Sequence, residues 1–276
     1  MKLIKDVAQS LLWKNGYNLQ RIRDFPEENI DLLKLLVKQL FQNTPEAVIL
    51  QIGANDGKTG DPVHSIITQG NWSGILVEPL PNLYHELCHT YSHLPKFKLE
   101  NCAIAKEDGM VELYRVMPDE SLPEYVRLLA SFDRNIILKQ KPLIPNIEQL
   151  IEVVEVPAMS LASLIKKHCI QHVNLLQIDT EGFDYEILKM AFQSNLLPDI
   201  INFEYTHLQP EITIECGNLL ASKDILISRL VEISLQYSKA WLIDWINWSN
   251  HAINIVFLDK SWLEYSSNYF VIVDLV

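Results

Sequence analysis

The sequence predicts an α/β fold in which helices cover both faces of a mostly parallel sheet. Short apolar runs rich in branched residues recur along the chain, segments with helical spacing separate most of them, and a glycine-rich loop follows the first run. Such runs are typical of strands buried on both faces, and their alternation with helices is typical of a parallel sheet. The predicted strands are AVILQIG (47–53), GILVE (74–78), FKLENCAIA (97–105), VNLLQID (173–179) and PDIINFE (198–204).

The other segments are assigned around this alternation. Residues 1–46 are predicted to form a helical cover, because NIDLLKLLVKQLF spaces its leucines along one face of a helix. The main domain then spans 47–276. Within it, GMVELYRV (109–116) is predicted to be an extra strand. The proline-bearing segment 117–150 is predicted to be an irregular insertion that could serve as a lid.

Composition argues against several classes of protein. The 276 residues carry a formal net charge of −12 and the basic residues are scattered, so we expect no nucleic-acid partner. The four cysteines form no C-x-x-C pair, which favours reduced thiols in a cytoplasmic protein. The N-terminal segment lacks the apolar core of a signal peptide, and no apolar run is long enough for a membrane span. The oligomeric state is left open.

The loop GANDGKTGDP joins the first predicted strand to a helix, where an open α/β sheet binds its ligand. Its glycines fit neither the dinucleotide fingerprint nor the Walker sequence. The loop is therefore predicted to approach a ligand closely without cradling a pyrophosphate, and Asp61 followed by Pro62 is predicted to begin the next helix. The predicted ligand contacts in the loop are Gly53, Asn55, Asp56 and Gly57.

Glu78 ends the second predicted strand, 25 residues after Gly53. An acidic residue at this position can accept hydrogen bonds from both hydroxyls of a ribose. A carboxylate that can bind a ribose, next to a loop that does not suit phosphates, indicates an adenosyl ligand that carries no phosphates. S-adenosylmethionine fits this description. The alternative is that the glycines make a tight turn and that Glu78 is a solvated strand end.

Six segments in order give the chain a specific resemblance. They are LQIGANDGKTGDP (50–62), ILVEPLPNLYHEL (75–87), NCAIAKEDG (101–109), ASF (130–132), LLQIDTEGFDYEILK (175–189) and INFEYTHL (201–208). Over roughly residues 47–216 the chain resembles the FkbM family of S-adenosylmethionine-dependent methyltransferases. The resemblance implies a class I methyltransferase (Rossmann-like) fold, a seven-stranded sheet with one antiparallel strand, and methyl transfer to an oxygen acceptor. Residues 217–276 lack the usual Gly-Tyr start of the closing strands.

Polar side chains follow the fourth and fifth predicted strands, where groups that act on the acceptor should lie. We expect His207 to be the general base, because histidine exchanges protons near neutral pH. Asp179 is expected to bind the cofactor or orient the acceptor, and Glu204 to contact acceptor hydroxyls. The alternatives are that Asp179 or Glu181 caps the next helix, that His207 is structural, or that these side chains together hold a divalent metal. We leave the metal possible and do not predict it.

The family resemblance supplies the remaining site residues. It implies that Asn101 and Ala103 line the adenine and that Ser131 and Phe132 close over the acceptor. Glu181, directly after the fourth predicted strand, is also expected to contact the acceptor. The segment HELCH (85–89) has the spelling of a zinc-peptidase helix. On a helix its histidines would lie on the face opposite Leu83 and Leu87, towards solvent, so we do not interpret it as a zinc site.

Two functions from different classes remain. The first is an S-adenosylmethionine-dependent O-methyltransferase acting on a hydroxyl of a sugar, glycan or natural product. The alternative is a non-catalytic cofactor-binding protein of the same fold that serves as a scaffold or partner in a biosynthetic pathway. An NAD-dependent oxidoreductase would require the missing glycine fingerprint.

Overall fold

The computed structural model describes residues 32–41, 43–119, 122–205 and 207–221, and four later strands. Most of the predicted helical cover lies outside the described residues. The elements are α1 (Leu32–Phe41), β1 (Ala47–Ile52), α2 (His64–Gln69), β2 (Trp72–Val77), α3 (Pro81–Thr90), β3 (Phe97–Glu100), β4 (Ala103–Ala105), β5 (Gly109–Val116), a 3₁₀ helix (Glu124–Leu128), β6 (Ala130–Ser131), α4 (Arg134–Leu138), α5 (Ile147–Leu150), β7 (Ile151–Ser160), α6 (Leu161–His168), β8 (Leu175–Ile178), α7 (Asp184–Gln193), β9 (Ile200–Glu204), α8 (Pro210–Ala221), β10 (Ser228–Leu235), β11 (Ser238–Trp245), β12 (Ile255–Leu258) and β13 (Tyr269–Val273).

The central sheet has the strand order β12-β13-β9-β8-β1-β2-β3. The five strands from β9 to β3 are parallel, and β13 pairs with β9 antiparallel. The mostly parallel α/β fold is thus confirmed. From β1 the chain first adds β2 and β3 on one side and later adds β8 and β9 on the other. The ends of β1 and β8 therefore form a switch point, the usual place for a ligand in such sheets.

Alternate residues of the strands enter two separate cores on the two faces of the sheet. Leu50 and Ile52 lie in one core together with Leu164 of α6 and Leu188 of α7. Ile49 lies in the other, with buried residues from α1, α2 and α3. The near-continuous apolar strand runs follow from this two-sided burial.

A second sheet has the strand order β4-β7-β5-β6. The predicted extra strand at 109–116 is present as β5. The predicted single strand at 97–105 is wrong, because β3 belongs to the central sheet and β4 to the second. The break lies at Asn101, whose side-chain amide donates to the backbone carbonyls of Glu78 at 2.9 Å and Pro79 at 3.0 Å. Strand β7 was not predicted.

The insertion 117–150 contains the 3₁₀ helix, β6, α4 and α5. It is therefore more regular than its prolines predict. Six buried apolar residues that centre on this segment form a cluster separate from the two cores of the central sheet: Val116, Val126, Leu129, Ile137, Ile144 and Ile147. Across the described residues, no helix is both long enough and apolar enough to cross a membrane.

The outer face of the second sheet carries an unfavourable charge pair. Glu112 on β5 lies directly opposite Glu155 on β7, and both side chains are exposed. Like charges at directly opposed positions repel, so we expect Glu155→Lys to raise the free energy of unfolding by about 0.5 kcal/mol. Urea denaturation of the unaltered protein and of Glu155→Lys measures this difference in the free energy of unfolding. As a control, Glu152→Lys should destabilise, because Glu152 accepts a 2.7 Å hydrogen bond from Arg115. An unchanged midpoint for Glu155→Lys would contradict the prediction.

Candidate active site

A cleft lies at the carboxyl ends of β1, β2 and β8, beside the insertion. It is lined by Ile52, Gly53, Asn55, Val77, Glu78, Pro79, Cys102, Ala103, Ile104, Leu113, Leu128, Ala130, Phe132, Asp179, Thr180 and Glu181. Six of the predicted site residues therefore meet in one cleft: Gly53, Asn55, Glu78, Ala103, Asp179 and Glu181. They come together because parallel strands present their carboxyl ends at the same edge of a sheet.

Gly53 is required where the loops after β1 and β8 touch. Its backbone has φ +82°, and a Cβ atom there would lie 1.7 Å from the carbonyl oxygen of Asp179. The Asp179 amide donates to the carbonyl of Ile52 at 2.9 Å. Any side chain at position 53 would force the two strands apart, so the glycine sets the floor of the cleft.

Glu78 is held rigidly at the cleft by backbone amides. Its two carboxylate oxygens accept from Asn55 N–H at 2.9 Å and Leu80 N–H at 2.8 Å. The side chain is 2% exposed. Burial raises the pKa of Glu78 to about 7, although the two backbone hydrogen bonds oppose the rise. Each oxygen keeps a second lone pair, which suits it to accept a hydroxyl of a ligand.

Three residues predicted to touch the cofactor support the cleft from outside its lining. Asp56 accepts from the Lys58 and Thr59 amides, from the Thr59 hydroxyl and from Arg127. Gly57 offers its carbonyl to the Tyr91 hydroxyl at 2.8 Å. The third, Asn101, holds the turn after β2 through the two bonds described above. These contacts fix the shape of the loops that form the cleft.

The predicted helix start at Asp61 is also wrong. Helix α2 begins at His64. Asp61 instead accepts from the Val63 amide at 2.9 Å and from the Gln51 side chain at 3.1 Å. Burial raises the pKa of Asp61 to about 6. Asp61 thus ties the glycine loop to β1.

Glu181 and His207 form a carboxylate–imidazole pair beside the cleft. The Nε2 atom of His207 lies 2.9 Å from Glu181 Oε2 and 3.6 Å from Glu204 Oε1. Its Nδ1 atom lies 3.2 Å from the Nζ of Lys139, directly after α4. Because an ammonium can only donate, Nδ1 is the acceptor and the proton is assigned to Nε2, which donates to Glu181.

The same three side chains are the candidate metal ligands. Ligand atoms of Glu181, Glu204 and His207 lie within 4.8 Å of one another. Carboxylate oxygens and imidazole nitrogens are usual ligands of divalent cations. A metal would need Nε2 without its proton, however, and the contact from Lys139 to Nδ1 favours the opposite tautomer. The three side chains are thus close enough to hold a divalent cation, and the proton assigned to Nε2 would have to leave for that atom to bind it.

Ser131 holds the loop that carries Glu181. Its buried hydroxyl donates to the backbone carbonyl of Glu181 at 2.7 Å. Helix α7 begins at Asp184, whose buried carboxylate accepts from the Thr180 hydroxyl at 3.1 Å and the Gly182 amide at 3.2 Å. Asp184 therefore ties the loop after β8 to the helix, and the N-cap residue, Phe183, makes no side-chain cap hydrogen bond. Burial raises the pKa of Asp184 to about 6.

The histidines of HELCH lie on the exposed face of α3, as predicted. Leu83 and Leu87 are buried, whereas His85 and His89 are exposed. Within the part of the chain that the structure describes, the cluster of potential metal ligands contains neither histidine. The peptidase interpretation has no support from this geometry.

Two residues of the insertion were missed by the sequence analysis. Arg127 contacts Asp56 of the glycine loop, and Lys139 contacts His207. Both lie far along the chain from their partners, in a segment without a periodic pattern. Short local motifs carry no signal for such contacts.

Comparison with known proteins identifies the family. A family profile, described as Methyltransferase FkbM domain, matches residues 51–230. Among proteins of curated function, none matches the sequence.

Comparison with solved structures finds matches of low sequence identity with TM-scores below 0.5. An FkbM methyltransferase from Methylobacillus flagellatus has 10% identity and a TM-score of 0.46, with 82% of this chain and 43% of that chain covered. The present chain thus spans less than half of that protein. A putative RNA methyltransferase from Pyrococcus horikoshii has 11% identity and a TM-score of 0.40, covering 98% and 100%. The N-terminal domain of human METTL16 in complex with SAH has 9% identity and a TM-score of 0.40, covering 98% and 80%. Because the family profile covers well over half of the 276 residues, the chain belongs to the FkbM methyltransferase family.

Proposed function

We propose that the protein transfers a methyl group from S-adenosylmethionine to a hydroxyl of a sugar, glycan or natural product. The observation that carries this proposal is the buried carboxylate of Glu78, fixed by two backbone amides at the lining of the cleft. Its remaining lone pairs suit the two hydroxyls of a ribose. When bound, the cofactor supplies an electrophilic methyl group on a sulfonium.

The polar cluster beside the cleft supports an oxygen acceptor. A hydroxyl must lose its proton as its oxygen bonds to the methyl carbon and the carbon–sulfur bond breaks. Glu181 accepts the Nε2 proton of His207 and so orients the ring. In our proposal the acceptor hydroxyl replaces Lys139 at Nδ1, and Nδ1 takes the proton. The Glu204 carboxylate, 3.6 Å from Nε2, then stabilises the imidazolium.

The composition of the chain supports two further parts of the proposal, the class of acceptor and the cellular location. A net charge of −12 disfavours a nucleic-acid acceptor. The four cysteines Cys88, Cys102, Cys169 and Cys216 are free thiols, in keeping with a cytoplasmic location.

Titration calorimetry with S-adenosylmethionine and S-adenosylhomocysteine tests the donor half of the proposal. We expect both to bind. Absence of binding to both would refute the proposed function.

Incubation with a panel of sugars, glycans and hydroxylated natural products, read by mass spectrometry for the gain of one methyl group, tests the acceptor half. Binding without turnover on any acceptor would favour the non-catalytic scaffold.

Metal removal tests the roles of the Glu181, Glu204 and His207 side chains. Because Nε2 and Nδ1 of His207 are both engaged by protein groups, we expect methyl transfer to be unchanged after dialysis against EDTA. The initial rate before and after dialysis, with and without added Mg²⁺ or Mn²⁺, is the measurement. Loss of activity that is restored by either ion would show that a divalent cation is required, with these three side chains as its candidate ligands.

A further inference from the structure

We propose that Arg127 is a positioning residue that clamps the insertion onto the glycine loop and thereby keeps the bound cofactor enclosed. This inference rests on the proposed function, since it concerns the same cleft. It assigns to Arg127 a task that no local sequence pattern indicates.

The guanidinium of Arg127 joins two elements outside its own segment. One terminal nitrogen lies 2.8 Å from Oδ2 of Asp56, in the loop after β1. The other lies 2.9 Å from Oε2 of Glu86, on α3. The planar fork of an arginine holds two carboxylates in a fixed geometry, whereas a lysine ammonium is a single compact charge without that geometry. Arg127 therefore bridges the insertion, the glycine loop and α3.

The inner contact of this bridge is the stronger one. Asp56 is 8% exposed at its side chain and Glu86 is 46% exposed. Burial alone would raise the pKa of Asp56, but hydrogen bonds from Thr59 and Lys58 and the charge of Arg127 hold it below its ordinary value. Asp56 is thus ionised at neutral pH, and its pairing with Arg127 persists there.

Asp56 connects the clamp to the shape of the cofactor loop. The same carboxylate that binds Arg127 also accepts from the Thr59 hydroxyl at 2.7 Å and from the amides of Lys58 and Thr59. Its neighbour Asn55 donates to Glu78. A change at Arg127 is therefore transmitted to Glu78, the proposed ribose-binding carboxylate, through the consecutive residues Asp56 and Asn55.

The insertion supplies one wall of the cleft directly after Arg127. This part of the cleft lining consists of Leu128, Ala130 and Phe132. The ring of Phe132 packs against that of Phe183, with 4.7 Å between the ring centroids. These apolar side chains would form one wall around a ligand bound in the cleft. Release of Arg127 would detach this wall from the loop that it faces, so the clamp should govern how fast the cofactor leaves.

The test measures S-adenosylhomocysteine affinity and dissociation rate in Arg127→Ala, Arg127→Lys and the unaltered protein. For Arg127→Ala we expect the dissociation constant and the dissociation rate each to rise by about tenfold. This factor lies between the effects usually measured when an exposed and a buried charge pair are broken. The association rate and kcat at saturating cofactor should change far less. Arg127→Lys should lie between, since an ammonium can retain one of the two carboxylates.

Glu124→Gln is the matched control. Glu124 also faces Arg127, but at 3.7 Å and with 69% of its side chain exposed, so its removal should leave affinity unchanged. If Arg127→Ala fails to fold by circular dichroism, Glu86→Gln tests the outer contact and should speed dissociation by roughly threefold, as expected for a partly exposed pair.

The outcomes separate this inference from the proposed function. If the unaltered protein binds neither S-adenosylmethionine nor S-adenosylhomocysteine, the proposed function fails and the clamp with it. If the unaltered protein binds and the folded Arg127 variants match its affinity and dissociation rate, the clamp alone is overturned. A fall in kcat with unchanged dissociation would also overturn it.

Discussion

Replacing His207 with alanine should reduce methyl transfer by about 100- to 10,000-fold, the usual contribution of a general base. The affinity for S-adenosylmethionine should stay unchanged, because His207 is not among the residues that line the cleft. The loss follows from its position, with Nε2 fixed by Glu181 at 2.9 Å and Nδ1 directed at Lys139, where the acceptor hydroxyl is proposed to enter. Turnover of the identified acceptor and calorimetry with the cofactor measure the two quantities.

His172→Ala is the matched control for this variant. His172 is an exposed histidine whose Nε2 lies 3.0 Å from Asp199, before β9 begins and so at the opposite edge of the sheet. It should retain full activity. Turnover near that of the unaltered protein in His207→Ala would show that solvent or another group takes the proton, and the base would have to be sought elsewhere.

Replacing Glu78 with alanine should weaken S-adenosylmethionine binding by about 100-fold. Two lost charge-assisted hydrogen bonds, at roughly 1.5 kcal/mol each, correspond to that factor. The substitution also frees the amides of Asn55 and Leu80, so the loop itself should loosen. Titration calorimetry gives the dissociation constants directly.

The ionisation of Glu78 adds a pH dependence with a defined sign. Its pKa in the folded protein is about 7, above the ordinary 4.5, so the folded state holds this proton more tightly than the unfolded state. The resulting contribution to stability is complete below about pH 4.5 and is lost as the pH rises through about 7. Cofactor binding has the opposite trend, because the ionised carboxylate is the better acceptor for ribose hydroxyls. Affinity should therefore rise between pH 6 and pH 8, and this rise should disappear in Glu78→Gln.

Glu100→Gln serves as the control for Glu78. Glu100 ends the neighbouring strand β3 but pairs with Lys167 and His168, and it does not belong to the cleft lining. Its replacement should leave cofactor affinity as it was. Equal affinities for Glu78→Ala and the unaltered protein would show that the ribose assignment is wrong.

The central sheet and the edge that carries the candidate site could be predicted because they depend on local patterns. Runs such as AVILQIG are buried on both faces, so composition alone marks them as strands. The polar residues at the strand ends, among them Glu78 and Asp179, then meet because parallel strands share a direction. The second sheet depends instead on pairing between strands that lie far apart in the sequence. Strand β7 mixes the exposed Glu155 with buried apolar residues and includes Pro157, which conceals its pairing with β5.

Within the candidate site, the sequence indicates residue types but not every contact that they make. Asp56 and Asn101 are predicted to touch the ligand, and in the structure both bind backbone groups of the loops that form the cleft. A carboxylate or an amide beside a glycine loop can do either, and local spacing does not distinguish the two. The contacts of Arg127 and Lys139 depend on how the insertion packs, which involves chain separations of 71 and 68 residues.

The small apolar cluster around Val126, Ile137 and Ile147 gives the insertion an interior of its own. The buried residues of this cluster can therefore change without disturbing the two cores of the central sheet, provided that the insertion keeps its contacts with the cleft, among them those of Ser131 and Arg127. Under the proposed function, such a layout would allow acceptor specificity to diverge within residues 117–150 while the fold of the central sheet is kept.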